Sequence, residues 1–493
     1  MLETYFRNLT EDREVRKTLI ELRKVLKEET AGSLDAGQLE QLRAFLSHED
    51  PKVRRNAALI LGEQRDEGAL EALEAAYEAE EKLFVRADYL EAISHLHYGA
   101  FLGRYKNRML ELMAQKPDEG SAKHRSAEIR ALRALILQAE KPDRHRFTGW
   151  KIPSDVILTV TPGLEELTRL QLPEELQDGA KVFKGGVEIN TENLESVRGI
   201  RTVRGMLFRF CKNPLPGKQP EEIAHAIASS GILSYVDERH AGEPPYYFRI
   251  DLKTKMEAAE KSKFIARFAD ALEDATDYKL QNAPSDYEME IRISKGQKGS
   301  YFAYLRMATI PDRRFAYRRE VLPTSMHPVK AAEVIALVKD HLTEYGIVLD
   351  PMCGNGTLLI ERSKAVRARS LYGVDIYGEA IEAGRVNAAE ADVQLFFINR
   401  DFGDFRHEYR FDEILTQFPA RTEKTDEEAL MRLYQTFVRR IPDWMKEGGT
   451  IIALCTEPGM MRRTAARAGY LQETASYRLS EKSGEQIFVY QYH

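Results

Sequence analysis

Residues 346–375 read GIVLDPMCGNGTLLIERSKAVRARSLYGVD, and this stretch decides the fold of the C-terminal third. The apolar run Ile347–Leu349 is too short for a helix and is typical of a buried parallel strand, which ends at Asp350. A glycine-rich turn follows, and then a helix that runs to about Arg367. A second strand ends in Asp375. The order of strand, turn, helix, strand and acid predicts the first βαβ unit of a nucleotide-binding sheet.

The turn and the acid predict two kinds of recognition at one edge of that sheet. A tight turn lets backbone N–H groups at a helix N-terminus approach a carboxylate or a phosphate. Asp375 can accept hydrogen bonds from two ribose hydroxyls. The spacing departs from G-x-G-x-x-G, because no third glycine follows Gly354-Asn355-Gly356. A similar turn in some other α/β protein is the alternative, which the preceding strand and the following acid disfavour.

Residues 350–357, D-P-M-C-G-N-G-T, resemble motif I of class I S-adenosylmethionine-dependent methyltransferases. This form is most similar to RNA and DNA amino-methyltransferases, particularly the THUMP-domain RNA guanine-N2 methyltransferases. The resemblance covers about residues 155–493 and implies S-adenosylmethionine as the cofactor. It implies that an acid after the third strand holds the adenine amino group, where Asp401 matches and Asp404 is the alternative. The implied cofactor-binding residues are Asp350, Cys353, Gly354, Asn355, Gly356, Thr357, Asp375 and Asp401.

Composition excludes several protein classes. The 493 residues are enough for two to four domains, and 30% charged with 43% hydrophobic residues is an ordinary soluble balance. We expect no membrane span and no apolar signal core. Three widely spaced cysteines favour a reducing cytoplasm and no zinc site. Because the net charge is -6, local patches must provide any phosphate binding.

Residues 1–145 predict an α-helical domain of HEAT-like repeats. Residues 50–62 resemble the second helix of such a repeat, and residues 84–90 and 128–135 echo it. Small residues at repeated positions let paired helices stack into a solenoid. Two interpretations stay open: an arm that binds a protein partner or RNA, and a packing extension with no ligand of its own.

Residues 153–320 predict an α+β region, after a linker at 141–153. Its element order resembles the ferredoxin-like domain and the THUMP domain of the same family. THUMP domains bind structured RNA, commonly the acceptor end of tRNA, so the resemblance implies tRNA or another structured RNA as partner. The predicted strands are 155–160, 182–189 (a hairpin), 202–210, 246–252, 287–294 and 300–307, and the predicted helices are 192–199, 221–229 and 261–275.

The sharpest basic patch is DRRFAYRR at residues 312–319. Arginines interleaved with aromatic residues can pair with phosphates and stack on bases. The candidate RNA-binding residues are Arg313, Arg314, Arg318 and Arg319. An amphipathic strand with arginines at its edges is the alternative interpretation.

Residues 326–493 predict the class I methyltransferase domain, a Rossmann-like sheet of seven strands with an antiparallel last strand. The whole chain is therefore expected to be a multidomain α + α/β protein. In the family, the fourth strand ends in N-P-P-Y, whose Asn side chain and first Pro carbonyl accept hydrogen bonds from the target amine while the aromatic ring stacks on the base. Catalysis then depends on positioning and desolvation, and no metal is required.

The corresponding segment here reads Gln417-Phe418-Pro419-Ala420. The resemblance implies catalytic roles for the Gln417 amide, the Phe418 carbonyl and Pro419, although the amide is one methylene longer. Ala420 lacks the stacking ring, for which Phe418 is a conceivable substitute. The leading hypothesis is a cytoplasmic RNA methyltransferase that modifies a guanosine N2 in tRNA. The alternatives are a catalytically degenerate scaffold that binds cofactor and RNA, and an adenine-N6 nucleic-acid methyltransferase.

Overall fold

The computed structural model describes residues 2–27, 34–115, 120–141, 144–296, 299–421, 426–479 and 484–493. The chain forms two compact units. The first unit comprises Met1–Arg144 together with Ala266–Gln281, and the second comprises His145–Ile265 together with Asn282–His493. None of the helices in the described ranges has the length and apolar character needed to span a membrane.

The N-terminal region is helical, as predicted. Its α-helices are α1 (Leu2–Thr10), α2 (Val15–Leu26), α3 (Ala36–Ala44), α4 (Pro51–Glu63), α5 (Leu70–Ala79), α6 (Leu83–Ile93), α7 (Leu102–Ala114) and α8 (Ala122–Ala139). The three predicted repeat segments fall on α4, α6 and α8, which pack side by side in that order. Gly62 shows why small residues recur, since a Cβ there would lie 2.5 Å from the backbone of Ala92.

The middle region begins with β1 and ends with β10. Its elements are β1 (Arg146–Phe147), β2 (Ser154–Thr159), α9 (Glu165–Arg169), α10 (Glu174–Gln177), β3 (Lys181–Phe183), β4 (Gly186–Thr191), β5 (Gly205–Phe208), α11 (Pro220–Ser229), α12 (Ile232–Asp237), β6 (His240–Ala241), β7 (Tyr246–Lys253), α13 (Ala258–Ala275), β8 (Leu280–Asn282), β9 (Met289–Lys295) and β10 (Tyr301–Met307). The sheet order is β3-β4-β2-β5-β10-β9-β7-β8. The two predicted sets of strands therefore form one continuous sheet, joined where β5 pairs with β10.

Two local predictions for this region were wrong. The expected helix at 192–199 is a single 3-10 turn, Leu194–Ser196, because the hydroxyls of Thr191 and Ser196 donate to the Asn193 carbonyl and stabilise a turn instead. The expected linker at 141–153, of which residues 142 and 143 lie outside the described ranges, includes β1, which pairs with β6.

Part of α13 and the segment after it belong to the first unit. Arginines of α8 form ion pairs with carboxylates of α13: Arg130 lies 2.7 Å from Asp270, and Arg133 forms a buried ion pair with Glu273. Similar pairs connect successive helices earlier in the unit, for example Arg54 with Glu80. Residues 266–281 therefore continue the chain of arginine–carboxylate contacts beyond α8.

The C-terminal sheet is the element that positions the candidate site. Its elements are α14 (Pro328–Leu337), β11 (Gly346–Asp350), α15 (Thr357–Ala365), β12 (Ala368–Asp375), α16 (Gly378–Glu390), β13 (Leu395–Asn399), β14 (Phe411–Gln417), α17 (Glu427–Trp444), β15 (Met445–Cys455), α18 (Pro458–Ala468), β16 (Leu471–Arg478) and β17 (Gln486–Tyr492). The order is β13-β12-β11-β14-β15-β17-β16, and β17 is antiparallel to both neighbours. The predicted seven-stranded sheet is confirmed.

The topology of this sheet creates one crevice. The chain proceeds from β11 outward through β12 to β13, and then returns to β14 on the other side of β11. In open α/β sheets, ligands bind outside the carboxyl ends of the strands at such a switch point. Asp350 and Gln417 end the two strands that flank it.

Candidate cofactor and substrate site

The loop after β11 is a tight turn held by its own backbone. Gly354 and Gly356 have φ angles of +52° and +73°, in the left-handed region that favours glycine. A Cβ on Gly356 would lie 2.8 Å from the Phe397 ring, whereas one on Gly354 would meet no atom within 4 Å. Cys353 is buried, and its N–H donates to the Val374 carbonyl. The space beside the Gly354 Cα is thus open, and the loop leads directly into the N-terminus of α15.

Asp375 is fixed against this loop. One carboxylate oxygen accepts from the Gly354 N–H at 2.8 Å, and the other accepts from the Tyr377 N–H at 3.0 Å. A carboxylate offers about four acceptor positions, so two remain for a ligand. The Asn399 amide donates to the carbonyls of Asp375 and Ile376, which holds the strand end in place.

Asp350 lies beneath the loop and is buried. The Thr416 hydroxyl donates to it at 2.6 Å, and the Met352 N–H donates at 3.1 Å. Burial, together with the charge of Asp375, raises the pKa of Asp350 to about 7, although the two donors favour its charged form. Asp350 is thus a support that connects the end of β11 to the residue before Gln417, and its enclosed position does not present it to a ligand.

The remaining predicted loop residues are also structural. Asn355 is buried, and its side-chain oxygen accepts from the Thr357 hydroxyl at 2.9 Å. The Asn387 amide in α16 donates to the Glu320 carbonyl at 2.9 Å and accepts from the N–H groups of Arg319 and Glu320. The connector before α14 is therefore bonded to α16 through Asn387 and, at 3.4 Å, to the loop through Asn355.

Asp401 lies in the turn after β13, where one of its oxygens accepts from the Gly403 N–H at 2.7 Å. Ile376 and Tyr377, directly after Asp375, are large side chains with 59% and 72% exposure. Such apolar surface beside a ribose-type acid suits a planar base. Sequence reasoning missed this pair, although two large hydrophobic residues after a strand-end acid were a usable signal.

The segment after β14 presents a free amide. Gln417 is half-buried at the strand end, and among the described residues none forms a hydrogen bond with its side chain. Pro419 and Ala420 are exposed. The suggestion that the Phe418 ring stands in for the missing aromatic was wrong: the ring is 1% exposed and stacks on Tyr434 with centroids 4.2 Å apart. Strand alternation turns residue 418 toward α17, so only its backbone remains at the site.

The four candidate arginines do not form one patch. Residues 314–317 form turns and none of residues 312–319 belongs to a strand, which rules out the alternative of an amphipathic strand. Arg314 donates to Asp312 and to two backbone carbonyls, while Arg319 pairs with Glu390 at 3.2 Å. Arg318 is half-buried, and Arg313 is exposed. Arg313 and Arg314 line a common cleft, to whose lining Arg318 and Arg319 do not belong.

Comparison with known proteins agrees with this geometry. Residues 316–482 match the family model of the RMKL-like methyltransferase domain, and residues 5–94 match HEAT repeats. TrmN from Thermus thermophilus has a similar structure, with a TM-score of 0.52 and 20% identity over 69% of this chain and 99% of TrmN. The C-terminal sheet has the class I methyltransferase fold.

Two further structures show the same likeness. SMU.472, a putative methyltransferase solved with S-adenosylhomocysteine, matches with a TM-score of 0.53 and 16% identity over 69% of this chain and 98% of its own. A predicted N6-adenine-specific DNA methylase from Listeria monocytogenes matches with a TM-score of 0.50 and 16% identity over 69% of this chain and 96% of its own. At these identities the likeness concerns the fold.

The residues present fit S-adenosylmethionine. The open space at Gly354 and the N-terminus of α15 suit the methionine carboxylate. Asp375 has acceptor positions left for two ribose hydroxyls, and Ile376 and Tyr377 offer an apolar surface to adenine. The role of Asp401 toward the adenine amino group stays a prediction.

Proposed function

We propose that this protein is an S-adenosylmethionine-dependent RNA methyltransferase that modifies a guanosine amino group in tRNA. The observation that carries the proposal is the convergence of three groups at one sheet edge: the open Gly354 turn, Asp375, and the Gln417 amide, which has no hydrogen-bond partner among the described residues. These groups come from β11, β12 and β14, whose carboxyl ends are adjacent.

The proposed chemistry assigns a separate task to each residue. S-adenosylmethionine, when bound, supplies a methyl group on a positively charged sulfur. The Gln417 oxygen and the Phe418 carbonyl accept hydrogen bonds from the two hydrogens of the target amine and fix its direction of approach. Thr416 and Asp350 act as positioning residues, because their 2.6 Å hydrogen bond fixes the end of β14 relative to the cofactor loop.

An RNA substrate is supported by the resemblance of residues 153–320 to THUMP-containing enzymes and by the exposed guanidinium of Arg313, which has no partner in the part of the chain that the structure describes. A helical arm built from HEAT-like repeats supports an additional protein or RNA partner for the N-terminal region. The three cysteines, none of which is in a disulfide, support a cytoplasmic location.

Methyl transfer to size-fractionated RNA, with duplex DNA in parallel, tests the proposal. We expect radiolabelled methyl groups in the tRNA fraction and their recovery as N2-methylguanosine. Gln417→Ala should lower kcat/KM by about a hundredfold or more, because the amine loses its positioning acceptor. Its affinity for S-adenosylmethionine should stay within about twofold of the parent, because the ribose and methionine contacts are intact.

One observation favours a second candidate, a scaffold that binds cofactor and RNA without transfer. Ala420 offers no stacking ring, and Phe418 does not replace it, because its ring is packed against Tyr434. Cofactor binding with no methyl transfer to either nucleic acid would select this scaffold. Label recovered as N6-methyladenosine would instead select the adenine-N6 alternative.

A further inference from the structure

A cleft of about 460 Å³ lies in the second unit, between the loop that precedes β5 and the turn that follows β10. This volume is within the range of about 300–1,000 Å³ that is usual for ligand sites. None of its lining residues belongs to the candidate cofactor site. Its charged lining consists of Arg198, Arg204, Arg306, Arg313, Arg314 and a single acid, Asp312.

Two of these arginines build the walls. Arg314 donates to the Asp312 carboxylate at 2.7 Å, and to the carbonyls of Ile200 and Val203 at 2.5 Å and 2.7 Å. These bonds fasten the turn to the opposite loop, and the Arg314 guanidinium holds the pKa of Asp312 below its ordinary value. Arg198 pairs with Glu195 at 2.9 Å and packs over Trp150. The only acid in the lining is thus already neutralised.

Two of the remaining three arginines, Arg306 and Arg313, are available to a ligand. Arg306 and Arg313 are exposed, and within the described ranges neither guanidinium has a carboxylate or carbonyl partner. Arg204 is already partnered, because it donates to the Thr161 hydroxyl at 2.7 Å and pairs with the buried Glu333 at 3.5 Å. The cleft therefore carries an uncompensated positive charge, and planar guanidinium groups recognise phosphate oxygens in pairs.

Apolar side chains complete the cleft. Met206, Met307 and Ile310 line it beside the free arginines, and the Tyr287 ring is also in the lining. Exposed cations next to an apolar and aromatic wall match the two parts of a nucleotide, its phosphate and its base. A helix of duplex RNA is too wide for such a cavity, whereas one unstacked nucleotide suits it.

We propose that this cleft binds a phosphate-bearing nucleotide, with its phosphate on Arg306 and Arg313 and its base against the apolar wall. As an unpaired nucleotide of the RNA strand, the ligand would anchor the substrate at a place separate from the methylated base. This assignment rests on the proposed function for the identity of the strand. A free mononucleotide has the same chemistry and is the other source of such a ligand.

Binding of a labelled single-stranded RNA oligonucleotide to the full chain, measured by fluorescence anisotropy over a salt series, tests the cleft. We expect R306Q/R313Q to weaken binding at least tenfold. The negative slope of log affinity against log salt should become shallower by about 1.4, because each phosphate contact on a single strand contributes about 0.7 to its magnitude. The matched control is R463Q/R467Q, which removes the same charge from exposed positions of α18.

Competition with AMP distinguishes an RNA strand from a free mononucleotide as the ligand of the cleft. If AMP displaces the oligonucleotide only at concentrations far above those of the strand, the strand is the ligand; if AMP binds as tightly as the strand, the ligand is a free nucleotide. Equal affinity and equal salt slope for parent and R306Q/R313Q with both probes, or no binding of either probe to the parent, would overturn the proposal.

Calorimetry with S-adenosylmethionine separates this result from the proposed function. R306Q/R313Q should bind the cofactor like the parent, because neither arginine contacts the cofactor loop. Absence of cofactor binding in the parent would contradict the methyltransferase proposal. The oligonucleotide result would still decide whether the cleft binds a nucleotide.

Discussion

At the scale of single residues, Asp350 links stability to pH. Its pKa in the folded protein is about 7 against an ordinary value of 3.8, so the folded state holds this proton more tightly than the unfolded state. The stability that this proton provides is complete below about pH 4 and is lost as pH rises to about 7. The carboxyl therefore opposes folding most strongly above pH 7.

Asp350→Asn should remove this pH dependence, because the amide stays neutral and its oxygen can still accept from Thr416. The free energy of unfolding of the variant minus that of the parent should increase between about pH 4 and pH 7 and then stay constant. The total increase should be up to about 4 kcal/mol. Denaturant unfolding at several pH values measures this difference. A constant difference between parent and variant across that range would contradict the assignment.

Residue chemistry also explains where sequence reasoning failed at the site. The sequence supplied Gly354, Asp375 and Gln417, because glycine turns and strand-end side chains follow from local patterns. It did not reveal that Thr416 donates to Asp350, a bond between residues 66 positions apart in the chain. It also did not settle which way the Phe418 ring turns, since that depends on how Tyr434 of α17 packs.

At the scale of secondary-structure elements, α8 and α13 meet through a buried ion pair. The side chains of Arg133 and Glu273 are 4% and 3% exposed. Removing one partner of such a pair leaves a buried charge without compensation, at a cost of about 3–5 kcal/mol. Replacing both partners with apolar residues of similar size removes both charges together and costs less.

We therefore expect Arg133→Ala to lower the free energy of unfolding of the first unit by about 3–5 kcal/mol, and R133M/E273M to recover at least 1 kcal/mol of that loss. Arg104→Ala is the control, because the Arg104–Glu78 pair is more than half exposed on both sides and is worth less than about 1 kcal/mol. Chemical denaturation measures all three variants. Equal losses for Arg133→Ala and Arg104→Ala would refute the buried-pair account.

Element order was largely predictable in the C-terminal sheet, because parallel strands and their helices have distinct hydrophobic periods. It was less predictable in the middle region. The pairing of β5 with β10, which unites two sets of strands, joins segments about a hundred residues apart. Local pattern carries no information on such a contact.

At the scale of the whole molecule, the first compact unit is discontinuous in sequence. It needs residues 266–281, which follow more than a hundred residues of the second unit. The sequence suggested a boundary near residue 145, because a polar, proline-flanked stretch ends the helical pattern there. Residues 266–281 gave no such signal, since the first ten of them continue the helical pattern of α13.

A fragment of residues 1–144 should therefore be less stable than the same residues in the full chain. It lacks the carboxylates that partner Arg125, Arg130 and Arg133 in α8. Scanning calorimetry of the fragment, with and without a synthetic peptide of residues 258–281, measures the deficit. We expect the peptide to raise the Tm of the fragment, and a fragment as stable as the intact chain would contradict the discontinuous unit.

Titration of S-adenosylmethionine into the parent and into Asp375→Ala, followed by calorimetry, tests the central claim most directly. Hydrogen bonds to a charged group contribute about 1.5–3 kcal/mol each, so losing two ribose contacts should weaken binding by at least about a hundredfold. Asp340→Ala, an exposed acid outside the site, should bind like the parent. Tight binding by the parent and its loss in Asp375→Ala is the predicted result, whereas a parent that binds no cofactor, or equal affinity in Asp375→Ala, would contradict the account.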